Sequence, residues 1–195
     1  MGVPFEIVIP EVEEVREGEP AEVVLENARR KARAGLNQAA AAEAGLGQVG
    51  EGEGLVALGV DTDVALDGRL LGKASDEAGA RERLEALSGR THEVLTGVVL
   101  LGFDDLFTDT GNNSSTDCSG VARSEVTFRD LSPETVERYL DSGEWRDRAG
   151  AYAIQGLGSI LVAGLRGDFA NVVGLPLTLL LELAPKLLKA GKASG

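Results

Sequence analysis

Two aspartates, Asp61 and Asp63, follow the continuous apolar run at residues 55–60, LVALGV. Such a run reads as a strand buried on both faces. Asp61 then stands at its carboxyl end, where open α/β sheets gather their ligands. Side chains repeat with a period of two along a strand, so Asp63 shares the face of Asp61 if the strand continues. Two carboxylates so placed suit Mg²⁺, a hard cation that takes oxygen ligands and commonly works with substrate phosphates. Two lysines can reach the same place. Lys73 follows a short hairpin that folds back beside Asp61, and Lys31 lies inside the apolar stripe of a helix that packs on the sheet. Lysines beside an acidic metal site are suited to a polyphosphate substrate. The bland alternative is a surface turn with solvated charges and a lysine that snorkels from its helix.

The elements that must position these residues follow from periodicity and punctuation. Residues 3–9 (VPFEIVI) read as a short strand, and an acidic loop runs from there to about Gly18. Pro20 starts a helix whose Ala21, Val24, Leu25, Ala28, Ala32 and Leu36 share one face. Residues 64–71 (VALDGRLL) form a hairpin with Asp67-Gly68 as a type I′ turn. A helix begins at Ser75, with Ser75 as its cap, Asp76 and Glu77 in the first turn, and Ala80, Leu84 and Leu87 inward. Residues 92–102 are a strand, 103–120 a polar surface loop, and 121–130 a half-buried strand. Ser132-Pro133-Glu134 opens a helix with Val136, Tyr139 and Leu140 inward, 157–163 is a further strand, and 175–190 is the closing helix. Strands and helices mix without a strict βαβ repeat, which predicts an α/β protein with a mixed sheet.

Composition narrows the function classes. The 195 residues carry 19 Lys and Arg against 32 Asp and Glu, a net charge of −13. Coating a nucleic acid polymer or an anionic membrane needs clustered cations, so both are excluded as partners. A small anion held by a few local lysines or a metal is not. The single Cys allows no internal disulfide and favours a reducing, cytoplasmic setting. The single His, His92, leaves Ser-His-Asp hydrolysis poorly supplied. No signal peptide is expected at the acidic N-terminus. Pro176, Glu182 and Pro185 break the most apolar run before it reaches membrane-spanning length. Gly45-x-Gly47-x-x-Gly50 follows a helical Ala run instead of a strand, so it lacks the context of a dinucleotide loop. Asp109-Thr110-Gly111 lacks the second copy that an aspartic-protease dyad needs, and the Asn112-Asn113-Ser114-Ser115 acceptor strings read as loop.

A series of motifs in order resembles the Maf-type nucleotide pyrophosphatases. Pro4-Phe5-Glu6 resembles the family's first strand-end Glu, and Ala28-Arg29-Arg30-Lys31-Ala32 its helix ending in Lys-Ala. Gly59-Val60-Asp61-Thr62 resembles the G-x-D-T segment, and Leu66-Asp67-Gly68 through Leu71-Gly72-Lys73 the hairpin with a terminal GK. The stretch from Leu87 to Val98, the Ala149–Gly156 segment AGAYAIQG, and Gly167-Asp168 with Asn171-Val172-Val173-Gly174-Leu175-Pro176 complete the series.

The resemblance implies an α/β fold like that of inosine-triphosphatases, a mixed twisted sheet flanked by helices with two lobes around a cleft. It implies hydrolysis of nucleoside triphosphates between the α and β phosphates. In that reading Asp61 is the proton acceptor that activates water. Asp61 and Glu6 hold a divalent metal, Mg²⁺ with Mn²⁺ as the alternative. Lys31 and Lys73 hold the phosphates, and Thr62 and Gln155 mark the dTTP/UTP-preferring branch. A homodimer is compatible with it. The family's N-terminal S-x-S-P-R-R segment has no counterpart here, so the expectation is a single domain over 1–195, truncated at its N-terminus, with variable loops at 37–54 and 103–120. Either the natural start lies earlier or activity is weakened, and a non-catalytic nucleotide-binding or division-regulating relative is the competing reading. Ala74 replaces the usual Pro, and Asp63 a common apolar residue.

Overall fold

The computed structural model describes residues 5–45, 56–102 and 117–186. Its five strands are β1 (Ala57–Leu66), β2 (Arg69–Leu70), β3 (Thr91–Leu101), β4 (Cys118–Phe128) and β5 (Val162–Arg166), in the spatial order β2-β1-β3-β4-β5. Every pairing among them is antiparallel, where a mixed sheet was expected. The helices are α1 (Pro20–Gly45), α2 (Glu77–Leu87), α3 (Pro133–Ser142), α4 (Phe169–Val173) and α5 (Leu177–Leu183). The α/β class holds, with helices on both faces of the sheet.

Missing side chains let α1 lie close against the sheet. In the β1–β3 ladder Asp61 stands opposite Gly97. A Cβ on Gly97 would lie 2.3 Å from the Val24 carbonyl oxygen, and one on Gly59 2.1 Å from that of Ala28. Both glycines therefore mark where the helix backbone touches the strands. Val24, Ala28 and Ala32 of α1 fill the remaining space against Leu95 and Val99. The opposite face carries the larger core, in which Val64, Val94, Val126 and Phe128 meet Leu84 and Leu87 of α2 and Tyr139 of α3. Further along the same face, Val98 and Leu100 pack on Leu180 and Ala184.

Several expectations are corrected. Residues 5–9 form no strand, and Phe5, Ile7 and Ile9 are exposed by 83%, 76% and 88%. An alternating segment becomes a strand only where an edge accepts its hydrogen bonds, and none of the described strands pairs with it. β1 does not stop at Asp61 but continues to Leu66, and Leu58 is exposed, so the strand is not buried on both faces. α1 extends to Gly45 and absorbs 37–45 of the expected loop, since its run of alanines favours helix. The cap of α2 is Asp76, whose carboxylate accepts from the Gly79 amide, and not Ser75.

The expected strand at 157–163 is a 3₁₀ turn (Gly156–Leu161) that leads into β5. Its first amides are met by Glu144, whose carboxylate accepts from Leu157 N and Gly158 N. Within the described part of the expected closing helix at 175–190 the helix is short, α5 (Leu177–Leu183), and a separate helix not expected from the sequence, α4, precedes it and ends at Gly174 (φ 118°). The Asp67-Gly68 turn is as expected, with both φ angles positive (51° and 74°). Residues 46–54, 103–116 and 187–190 lie outside the described residues, and with them the aspartic-protease-like string, the acceptor strings and most of the glycine string. Among the described residues no helix is long and apolar enough to cross a membrane.

Candidate active site

Asp61 is held from two directions on the α1 face of the sheet. Lys31 Nζ donates to its Oδ1 at 2.5 Å, and Asn27 Nδ2 to its Oδ2 at 3.2 Å. Asn27 and Lys31 are one helical turn apart on α1, so a single helix face supplies both donors. Lys31 Nζ also lies 2.8 Å from Glu14 Oε1 and so bridges two carboxylates. Burial works against its ammonium, but the bonds to Asp61 and Glu14 outweigh that and raise its pKa above the ordinary lysine value. The same bond from Lys31 holds Glu14 below the usual carboxylate range. Asn27, 4% exposed, also pins the segment that carries Glu14. Its Oδ1 accepts from Val15 N at 2.7 Å and its Nδ2 donates to Val15 O at 3.0 Å.

Asp63 shares this face. Its Oδ1 accepts from the amides of Val64 (2.7 Å) and Gly72 (3.1 Å), which ties the end of the hairpin to the strand. Burial pushes its pKa up to about 6 against those two bonds, with further help from the negative Asp61 and Glu14. Lys73 comes next after Gly72 and pairs in an isolated antiparallel bridge with Ala149. It is close enough to Glu14 to favour that carboxylate's charged form.

The other face of β1 opens into a cleft of about 420 Å³, lined by Thr62, Lys73, Tyr152, Gln155 and Gly174 among others. Thr62 Oγ1 lies 2.9 Å from Thr96 Oγ1, and Thr96 donates to the Asn171 carbonyl at 3.2 Å. Asn171, fully buried, donates through Nδ2 to Val94 O and Ser124 Oγ. This polar chain ties α4, and the Val172–Gly174 wall behind it, to the central strands. Tyr152 lines the cleft and is backed by buried His92, whose Nε2 lies 2.8 Å from the Tyr152 hydroxyl. Burial lowers the His92 pKa to about 4 and pushes the Tyr152 phenol up. His92 is therefore a neutral core group.

The two half-sites meet at the outer edge of β1. Leu71 N donates to Val64 O at 2.9 Å, so the backbone groups of Val64 point outward, and by alternation so do those of Thr62 and Val60. β2 covers only Ala65 and Leu66. No other described strand pairs along this edge. A molecule in the cleft can therefore extend around the edge, past Lys73, to Asp61.

Of the expected site residues, the structure brings Asp61 and Lys31 together, sets Lys73 at the junction, and places Thr62 and Gln155 on the cleft wall. Glu6 is exposed, and no contact joins it to this group. The acidic residue that reaches Lys31 is Glu14. Sequence reasoning missed Glu14 and Asn27. The four-residue spacing of Asn27 and Lys31 was a readable signal, whereas Glu14 sits in an acidic stretch with several equivalent neighbours. As for a metal, among the described residues no three His, Cys, Asp or Glu side chains form an enclosing set. Mg²⁺ is commonly held by one or two carboxylates together with substrate phosphates. The oxygens of Asp61 and Glu14, converging on one Nζ, fit that requirement.

A family model described as "Maf-like protein" matches residues 1–187. The chain is 41% identical over 183 residues to a dTTP/UTP pyrophosphatase of Bacillus thuringiensis subsp. konkukian, covering 93% of this chain and 83% of the relative. A dTTP/UTP pyrophosphatase of Bacillus cereus (strain ATCC 10987) is also 41% identical, over 93% of this chain and 78% of the relative. One of Bacillus anthracis is 40% identical, over 93% and 83%.

Proposed function

The chain belongs to the Maf-like protein family, and from that premise we propose that it hydrolyses the α–β phosphate bond of dTTP, UTP or modified pyrimidine triphosphates, releasing the monophosphate and pyrophosphate. The observation that carries this reading is Asp61, oriented by Asn27 and Lys31 on the face of β1 opposite a nucleotide-sized cleft and within reach of it around the open strand edge. The names of the relatives support the substrate class.

The base enters the cleft beside Thr62 and Gln155. Gln155 offers both a donor and an acceptor, as reading a pyrimidine edge requires. The phosphates run past Lys73 and around the open edge of β1 to Lys31. There the two ammonium groups offset the charge that develops on the leaving pyrophosphate. Asp61 accepts a proton from the water that attacks the α phosphorus, and the bond to the bridging oxygen breaks. Asn27 keeps the carboxylate aimed while Lys31 exchanges carboxylate for phosphate. Asp61 and Glu14 would hold a divalent cation, Mg²⁺ or Mn²⁺. When bound, such an ion neutralises phosphate charge and lowers the pKa of a coordinated water. The substrates are free cytoplasmic nucleotides, with no nucleic acid polymer or membrane involved.

Pyrophosphate release from dTTP, UTP and 7-methyl-GTP in the presence of Mg²⁺ tests the proposal. Turnover of the pyrimidine nucleotides, lost in Asp61→Asn, is the expected result. Binding without turnover would replace it with a nucleotide-binding role, and neither would end both.

A further inference from the structure

We infer that Arg148 is a third cation of the phosphate site, beside Lys31 and Lys73, and that it grips the oligophosphate of the nucleotide together with Lys73. The inference rests on the nucleotide-hydrolase reading of the same cleft. Both side chains line that cleft. Their relative position is set by backbone pairing, since Lys73 bridges to Ala149 and Gly150 N donates to Gly72 O at 2.9 Å. Arg148 is thus fixed one residue from the pairing partner of Lys73.

The segment that presents Arg148 is strained, and packing holds it there. Asp147 (φ 59°), Gly150 (φ 63°) and Ala151 (φ 60°) are all left-handed, and two of the three are not glycine. Such conformations persist where surrounding contacts over-determine them, and they cluster at ligand-binding sites. Here Trp145 and Ala151 are buried on either side, Tyr152 bonds His92, and Gly150 presses on Val64, whose Cγ2 a Cβ would meet at 2.9 Å.

The charge around Arg148 is also open. Among the described residues no carboxylate lies within ion-pair distance of its guanidinium. Glu144, on the same wall, spends its carboxylate on the amides of Leu157 and Gly158. A guanidinium presents planar, paired donors that match phosphate oxygens.

Two measurements test this on the full chain, steady-state dTTP hydrolysis and calorimetric titration with inorganic tripolyphosphate. Arg148→Gln is expected to raise both KM for dTTP and Kd for tripolyphosphate by about tenfold or more, with a smaller change in kcat. Arg148→Lys should recover part of the loss. Arg146→Gln, the same charge change on the exposed face against Trp145, should leave both constants unaltered. Raising ionic strength should weaken the wild type more steeply than Arg148→Gln. Unchanged KM and Kd in Arg148→Gln would overturn the inference, and so would absence of tripolyphosphate binding by the wild type. If Arg148→Gln is unstable, the Arg148→Lys constants decide between retained grip and none. If the wild type binds tripolyphosphate but turns over no nucleotide, the hydrolase reading falls and the titration alone judges Arg148.

Discussion

Asp61 and Thr62 are neighbours in β1, yet they serve opposite faces of the sheet. Asp61 turns toward α1 and bonds Lys31, while Thr62 turns toward the cleft and meets Thr96. The two-residue period of a strand thus separates a candidate base from a candidate specificity residue by a single peptide unit. A substrate that uses both must cross the uncovered edge of β1, which explains why Lys73 sits there.

Replacing Asp61 with Asn keeps the shape and removes the proton acceptor. Pyrophosphate release should fall by about 10²–10⁴-fold, the usual worth of a positioned general base. Calorimetric affinity for dTTP should change far less. Equal losses of affinity and rate would instead mark Asp61 as a binding residue.

Gly97→Ala tests the seating of α1. The added methyl would stand 2.3 Å from the Val24 carbonyl oxygen, a backbone atom with nowhere to yield. The helix must shift, carrying Asn27 and Lys31 away from Asp61. Overpacking of this kind costs about 1–3 kcal/mol. Both the chemical-denaturation midpoint and kcat should drop, whereas Gly35→Ala on the same helix, with open space around it, should lower neither.

Thr62 and Gln155 should govern base choice. Gln155→Glu removes the amide donor while leaving Asp61 and both lysines untouched. The ratio of kcat/KM for dTTP over 7-methyl-GTP should fall by about tenfold or more, since a lost hydrogen bond in a built site is discriminating. A uniform loss across nucleotides would place Gln155 outside base recognition.

Acid should destabilise the fold through His92. Its pKa is lowered by burial from 6.5 to about 4, so the unfolded chain takes up a proton that the folded chain refuses. That contribution is fully present above pH 6.5 and is lost as pH falls toward about 4, amounting to about 3 kcal/mol. Asp63 acts in the opposite sense. Its pKa is raised from 3.8 to about 6, so the folded chain keeps a proton that the unfolded one releases, and stability falls as pH rises through that window. The two slopes oppose each other in the wild type. Denaturation midpoints across pH 4–7 should therefore show a steeper acid loss in Asp63→Asn and a flatter one in His92→Gln. Parallel curves for all three proteins would refute the assignment.

Much of the local structure was written in the sequence, because it depends on neighbours along the chain. The Asp67-Gly68 turn, the Ser132-Pro133 helix start, and the α1 stripe that contains Lys31 are all of this kind. So was the identity of Asp61, Lys31, Lys73, Thr62 and Gln155 as candidates, read from residue type and from motif order. Partners distant in the chain decided the rest. Lys31 and Asn27 reach Asp61 only because Gly59 and Gly97 let α1 touch the sheet. Glu14, and not Glu6, enters the site because Asn27 pins Val15. Residues 157–161 wind into a 3₁₀ turn because Glu144 claims their first amides, and residues 5–9 stay outside the sheet because no described strand takes their hydrogen bonds. An apolar run states that a segment can be buried. Whether it is depends on a surface that another part of the chain must bring to it.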